Sequence, residues 1–441
     1  MILFIMNFLK KIFSPTILIL SSALLIYTLY RSEIIYGGDK RNYYFTYYVT
    51  SLFLIFFSII TFYINTKIKE YFIIICASLF ISVYILEGYL TFKINKKYRI
   101  YEKTSGKKWD RRLPIEIYND LKKEDNQITM SIRATLHEVD DYSIFSLGGV
   151  SNSKTIHCNE NGYYSIYESD RYGFNNPDIE WDSKEIEYLL IGDSFTHGSC
   201  VNRPNDIGSV LRNLSNNKSV LNLGYRGNGP LTEYATLKEY LSPKVKKVLW
   251  IYYPNDLSGL TKEKNQRILS DYFNDTSFTQ SLKFKQDLIN RNIKKFIAEY
   301  EKRLEKKEKK SRIKEFIKIY NLRTFFLRKK EEVISAPLSD FRKVLLQAQV
   351  ITKKNNSKLY FIHLPSYYRY AVSGDKAEII DTYISIKEIV EELGIPFVDI
   401  HEEVFKKEKN PLDLVPFEEL GHYTVEGYKK VSRAIYHNTN D

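Results

Sequence analysis

Leu189-Leu190-Ile191-Gly192-Asp193-Ser194-Phe195-Thr196 is the stretch on which the reading of this chain turns. Glu187–Ile191 is a short apolar run of the length a buried strand needs, and Gly192 punctuates its end. Ser194 then stands just past the strand, on a glycine-assisted turn where a helix begins and backbone N–H groups gather. That position exposes a hydroxyl. A serine is a poor nucleophile alone and needs a base. Ser194 and Thr196 could equally serve as helix caps, so the partners must come from elsewhere in the chain.

Outward from this turn, short apolar runs alternate with helical stretches. A helix near 205–214 follows the first strand, and Val220–Leu223 is followed by a helix near 231–241. Lys247–Tyr253 comes next. A helix near 339–353 precedes Lys358–Leu364, one near 376–393 precedes Pro396–Ile400, and a last helix follows His422. Such alternation predicts a parallel sheet covered by helices on both faces, with sites at the carboxyl ends of the strands.

Three later blocks carry candidate chemistry. Asn222-Leu223-Gly224-Tyr225-Arg226-Gly227-Asn228-Gly229 closes the second strand. Its glycines let backbone amides point at a ligand oxygen, although a plain strand-to-helix loop would read the same. Tyr253-Pro254-Asn255-Asp256 closes the third strand, where the Asn255 carboxamide could donate to a developing oxyanion or simply make a turn. Glu418-Glu419-Leu420-Gly421-His422-Tyr423-Thr424-Val425-Glu426-Gly427 opens the last helix. Glu419, three residues before His422, could orient the imidazole and stabilise its charged form; a lone His there would cap or pack. His197 either contacts a substrate or is a first-turn helix residue.

In content, order and position these four blocks resemble the SGNH/GDSL hydrolase family, over roughly 186–441. The resemblance implies a three-layer α/β/α, flavodoxin-like domain with a parallel sheet. It implies Ser194 as nucleophile, His422 as general base and Glu419 as the acid. The oxyanion donors would be the N–H groups of Ser194 and Gly227 and the Asn255 amide, with Gly224 as the alternative glycine. Two positions depart from the family pattern: Pro254 stands where a Gly precedes the Asn, and Glu419 stands where an Asp precedes the His. Glutamate fills that role in triads on other folds. Glu418 is out of register and Asp413 is a fallback.

The implied reaction is acyl transfer through an acyl-enzyme, ending on water (ester hydrolysis) or on a sugar hydroxyl (O-acyl, or acetyl, transfer). No cofactor or metal ion is implied. Membrane-anchored members also share Tyr172-Gly173-Phe174, membrane spans and a charged insertion. They imply acyl esters of cell-envelope or extracellular glycans as substrate. A transferase would also need a separate membrane acyl-donor partner, because three spans are few for carrying a donor across a bilayer. Two other classes stay open: a lipid-directed esterase or lipase, and a non-catalytic SGNH-fold binding protein, which the Glu419 and Pro254 departures motivate.

Ahead of this domain, Ile12–Tyr30 and Tyr43–Ile64 are uncharged over 19 and 22 residues, and Tyr71–Phe92 is apolar except for Glu87. Each is long enough to cross a hydrocarbon core, and two further spans after the first argue against a cleaved signal peptide. Glu87 lies near its span's end and is expected to reach the interface. The expected organisation is a three-helix transmembrane anchor at 1–94, a linker and β-rich segment at 95–185, and the main domain at 186–441 with a charged helical insertion at about 257–335. Lys10 and Lys11 before the first span and Arg31 after it point the N-terminus inward, whereas the summed flanking charge points the other way. The first helix usually dominates, which would place the main domain outside the cytoplasm. There Cys158 and Cys200 would form a bridge; otherwise they would be thiols.

The 441 residues carry 65 Lys+Arg against 53 Asp+Glu, a net charge of +12, and residues 261–330 alone carry a basic excess of 12. No basic bias spreads over a whole domain, so a nucleic-acid-binding reading loses its support. Within the insertion, Ile289, Ile293, Phe296, Tyr300 and Leu304, and then Ile313, Phe316, Ile317 and Tyr320, recur at helical spacing. They fit either an amphipathic surface that meets anionic lipid or glycan, or a hairpin packed on the core.

Overall fold

Five strands build the central sheet: β1 (Ile186–Gly192), β2 (Val220–Asn222), β3 (Val245–Tyr252), β4 (Lys358–His363) and β5 (Phe397–Asp399). Their order is β5-β4-β3-β1-β2 and every neighbouring pair is parallel. Along β1, Ile186, Leu189 and Ile191 enter one core cluster while Tyr188 and Leu190 enter another. A strand buried on both faces shows no polar alternation, which is why it reads as a continuous apolar run. The first cluster is completed by Leu231, Tyr234 and Leu237 of the helix Pro230–Tyr240 and by Phe341, Val344, Leu345 and Ala348 of Leu338–Lys354. The second takes Ile207 and Leu211 of Ile207–Leu214 and Tyr428, Val431 and Ile435 of Val425–Thr439. The result is the expected three-layer α/β/α arrangement with a parallel sheet. β1 lies between β2 and β3, where the strand order reverses, so the carboxyl end of β1 is the crevice in which such sheets place their ligands.

The computed structural model describes residues 2–139, 142–305, 312–327, 338–371 and 376–440. They form two units: residues 1–95 with 310–328, and residues 96–309 with 329–441. The segment before β1 thus shares a unit with the sheet. It holds a small sheet of Ile128–Met130, Lys154–Ile156 and Ile166–Glu168 and an antiparallel hairpin, Thr135–Val139 with Tyr142–Ser146. Met130, Ile144, Phe145 and Ile156 join the first core. The buried Asp170 carboxylate accepts the N–H groups of Tyr172 (2.9 Å) and Phe174 (3.0 Å), the Asn176 amide (2.9 Å) and the Trp181 indole (2.8 Å). Asn176 Oδ1 in turn accepts the Asn222 N–H at 2.8 Å, which fastens this turn to β2.

The insertion divides between the two units. On the helix Gln286–Glu305 the buried stripe is Ile289, Ile293 and Ile297, whereas Phe296 and Tyr300 are exposed. This part is packed on the core. Residues 306–311 and 328–335 of the insertion, and the side chain of Leu304, lie outside the described residues.

In the other unit, three helices, Ile2–Leu29, Arg41–Tyr63 and Thr66–Ile94, are long and apolar enough to cross a membrane. Glu87 does not reach out to an interface as expected; it is fully buried. Its carboxylate accepts the N–H groups of Asn321 (3.1 Å) and Leu322 (2.8 Å) and the Asn321 side-chain amide (3.0 Å). Those backbone donors open the helix Tyr320–Leu327, whose first-turn N–H groups have no partners within the helix. A carboxylate at that end also meets the positive pole of the helix dipole. Tyr84 donates to the Ile317 carbonyl at 2.9 Å, so two side chains of one apolar helix hold the short helical segment.

Candidate functional site

Gly192 ends β1 where no side chain would fit. A Cβ there would meet Thr196 Oγ1 at 2.0 Å and the Ile251 carbonyl oxygen at 2.4 Å. The chain then turns into the short helix Ser194–His197, capped by Asp193, whose carboxylate accepts the Phe195 N–H at 2.8 Å. Burial raises the Asp193 pKa above the usual carboxylate range. The Phe195 N–H, the His422 charge, the Ser194 hydroxyl and the Asn255 amide oppose that rise. Ser194 is partly exposed at the mouth of the turn, with Oγ 3.3 Å from Asp193 Oδ2.

His422 arrives from the other end of the chain. Thr424 caps the helix Val425–Thr439 by accepting the Gly427 N–H at 3.1 Å, and Tyr428 on that helix donates to the Ser199 carbonyl at 3.2 Å. His422 Nε2 lies 2.9 Å from Ser194 Oγ. Its Nδ1 lies 3.0 Å from Glu160 Oε1, and its backbone N–H donates to Glu160 Oε2 at 2.7 Å. One carboxylate therefore fixes both the imidazole and the backbone that carries it. Gly421 makes room for this contact, because a Cβ there would meet Glu160 Oε2 at 2.8 Å. Burial pushes the Glu160 pKa up, but the charge and hydrogen bonds of His422 outweigh it and leave the carboxyl below its ordinary range.

Glu160 is the residue that the sequence reading missed. Glu419 stands elsewhere: its carboxylate pairs with Lys97 Nζ at 3.2 Å. The chain reaches it through left-handed residues, Phe417 (φ 57°) and Glu418 (φ 56°), which redirect the backbone ahead of His422. Glu418 Oε1 and Asp413 Oδ1 both accept from the Asn410 side chain, at 3.2 and 2.9 Å.

The glycine alternatives separate on their hydrogen bonds. The Gly224 N–H already donates to Asn222 Oδ1 at 2.9 Å, and a Cβ on Gly224 would meet the His197 backbone nitrogen at 2.5 Å. Gly224 serves close packing. Gly227 is exposed at φ 76°. Its N–H and that of Ser194 have no acceptor among the described residues. Asn255 is exposed and is the first residue of the helix Asn255–Lys264, with Pro254 already in the right-handed helical region (φ −56°, ψ −22°). The departure at Pro254 thus starts the helix directly, and the Asn255 amide reaches Asp193 on the Ser194 turn.

His197 is buried, stacked on His157 with ring centroids 4.2 Å apart. Burial, then Arg226, His422 and Arg203, push it down to about 3, so it is neutral at physiological pH. It packs beneath the turn. Glu160, Cys200 and His422 offer donor atoms within 4.8 Å of one another. The Cys200 sulfur belongs to a disulfide, and both His422 nitrogens are engaged, so this set does not suit a metal ion.

The disulfide joins Cys158 to Cys200. It ties the strand of chain that carries Glu160 to the turn that follows Ser194, and Asn161 Nδ2 adds a bond to the Cys200 carbonyl at 3.0 Å. Loss of this tie is expected to displace Glu160 from His422. Replacing both cysteines by serine should lower kcat of any reaction at Ser194 roughly ten- to a hundred-fold, the cost of a small misplacement in a catalytic constellation. Steady-state kinetics of the double variant check this.

No protein-family model matches the chain, and no curated protein does. The chain is similar to solved structures of lipolytic proteins of the G-D-S-L family and of acetylxylan esterases. A member of the lipolytic protein G-D-S-L family from Veillonella parvula DSM 2008 is 12% identical, over 57% of this chain and 97% of that one, with a TM-score of 0.33. The acetyl xylan esterase AlAXEase is 12% identical, over 57% and 98%, at 0.34. Axe2, an acetylxylan esterase from Geobacillus stearothermophilus, is 16% identical, over 59% and 97%, at 0.33. The chemistry of this chain rests on its own residues.

Proposed function

We propose that the chain is a membrane-anchored serine ester hydrolase or O-acetyltransferase of SGNH/GDSL type. The observation that carries the reading is the relay Ser194 Oγ to His422 Nε2 (2.9 Å) and His422 Nδ1 to Glu160 Oε1 (3.0 Å) at the switch point of the sheet. Glu160 holds the proton on Nδ1, which leaves Nε2 free to accept the serine proton. Ser194 Oγ attacks the ester carbonyl as its proton passes to His422. The N–H groups of Ser194 and Gly227 and the Asn255 amide receive the oxyanion. The tetrahedral intermediate collapses, the C–O bond to the alcohol breaks, and His422 returns the proton to the leaving alkoxide. Water then attacks the acyl-Ser194 ester as its proton passes to His422, the acyl C–Oγ bond breaks, and His422 returns the proton to Ser194 as the acid leaves. If a sugar hydroxyl takes the place of water, the same steps give acyl transfer.

The glycan assignment follows the resemblance to anchored members of the family, and a transferase role would draw its acyl group from a separate membrane partner. The Cys158–Cys200 disulfide supports a location of this unit outside the cytoplasm, where such bonds persist. Fluorophosphonate labelling of the full chain in detergent, with the adduct mapped by peptide mass, tests the nucleophile. A single adduct on Ser194 is expected. A folded chain that takes no label would support the binding-protein reading instead. A series of p-nitrophenyl esters of rising acyl length separates the acetyl reading from the lipid-directed one, which would favour long chains.

A further inference from the structure

Two guanidinium groups flank the turn that carries Gly227. Arg226 precedes it; its Nη1 donates to the Ser131 carbonyl at 3.1 Å, and its side chain is half-buried. Arg133, exposed on the loop after the strand Ile128–Met130, lies across Gly227 itself. A Cβ on Gly227 would meet Arg133 Cδ at 3.0 Å and Nε at 3.2 Å. Among the described residues neither guanidinium forms an ion pair. Glu263, which approaches the same loop, is already occupied by the N–H groups of Gly229 (2.8 Å), Leu231 (3.0 Å) and Thr232 (3.3 Å). Burial is the main force that depresses the Arg226 pKa, and the nearby Arg133 charge adds to it. Two like charges held together, one of them half-buried, are costly unless an anion joins them.

We infer that the ester attacked by Ser194 bears an anionic group on its alcohol portion, held by Arg133 and Arg226 beside the oxyanion turn. The inference rests on the acetyl-ester reading above: an acetyl group has no charge to offer, so the anion belongs to the alcohol. A planar guanidinium presents parallel N–H donors that match a carboxylate or a phosphate. An acidic sugar or a phosphorylated glycan has this chemistry, whereas a neutral polysaccharide does not.

The test compares kcat/KM of the full chain in non-ionic detergent for 4-acetoxybenzoate and for its neutral methyl ester. 4-Acetoxyphenyl phosphate runs alongside to tell carboxylate from phosphate. A preference for a charged ester on the order of ten- to a hundred-fold is expected, carried mainly by KM, and shrinking as salt screens the charges. It should appear although the carboxylate-bearing phenol is the poorer leaving group. Arg133→Gln and Arg226→Gln should each bring the charged-to-neutral ratio towards one. Arg133 is exposed, so its variant carries the test if Arg226→Gln fails to fold. A ratio near one in the unsubstituted chain, with the neutral ester turned over, overturns the inference and leaves the hydrolase reading standing. So does a ratio that neither substitution changes. If no ester is turned over, the hydrolase reading falls and the inference with it.

Discussion

Replacing Ser194 with alanine should lower ester hydrolysis by on the order of 10⁴- to 10⁶-fold, with the fold intact. The size follows from what is lost. Without Oγ there is no acyl-enzyme, and the His422 imidazole has no proton to take. What remains is the stabilisation that the N–H groups of Ser194 and Gly227 and the Asn255 amide would give to direct attack by water, which is small but not zero. Ser194 sits on a short helix capped by Asp193, and its side chain is not part of either core. Thermal unfolding should therefore be almost unchanged. His422→Ala should cost about as much in rate as Ser194→Ala, and the double variant scarcely more than either, because the groups act as one unit.

Glu160→Gln is the second large effect. An amide cannot hold the His422 Nδ1 proton and stabilise the imidazolium as a carboxylate does, so kcat should fall roughly 10²- to 10⁴-fold. Glu419→Gln, which breaks only the exposed pair with Lys97, should stay within about twofold. If the two variants exchange these outcomes, the acid is Glu419 after all. Glu160 also leaves a mark on stability. Its pKa in the folded chain lies below the ordinary glutamate value. Its contribution is therefore complete above that ordinary value and is lost as pH falls through the depressed one. The stability gap between the unsubstituted chain and Glu160→Gln should be full at neutral pH and should close on acidification. Denaturant unfolding across the acid range measures it.

The sheet was legible because β1, β3 and β4 are buried on both faces, which leaves short apolar runs bounded by turn residues. Ser194, Asn255 and His422 were legible because each sits next to a strand end or a helix start with recognisable local chemistry. Glu160 had no such neighbour. It reaches His422 across 262 positions of the chain, from a segment that reads only as turns. Its single trace was Cys158, two residues before it. A bridge from Cys158 to Cys200 brings that segment to the Ser194 turn, and a carboxylate beside a cysteine so placed arrives with it. Glu87 was misjudged for a related reason. Its distance from the end of an apolar run says where a membrane surface could be reached, but not that two N–H groups 234 and 235 positions away would come to it. On the helix Gln286–Glu305, periodicity pointed to Phe296 and Tyr300 for the buried face, whereas packing against the core buries Ile297 and leaves those two exposed.

If Ser194 is the nucleophile it carries an acyl bond during turnover, which rapid-quench mass spectrometry of the chain with p-nitrophenyl acetate would trap. A transient acetyl group is expected on the peptide that contains Ser194, accumulating further in Glu160→Gln if deacylation slows more than acylation, and absent in Ser194→Ala. Turnover with no acyl adduct, or an adduct elsewhere with undiminished turnover in Ser194→Ala, would contradict it.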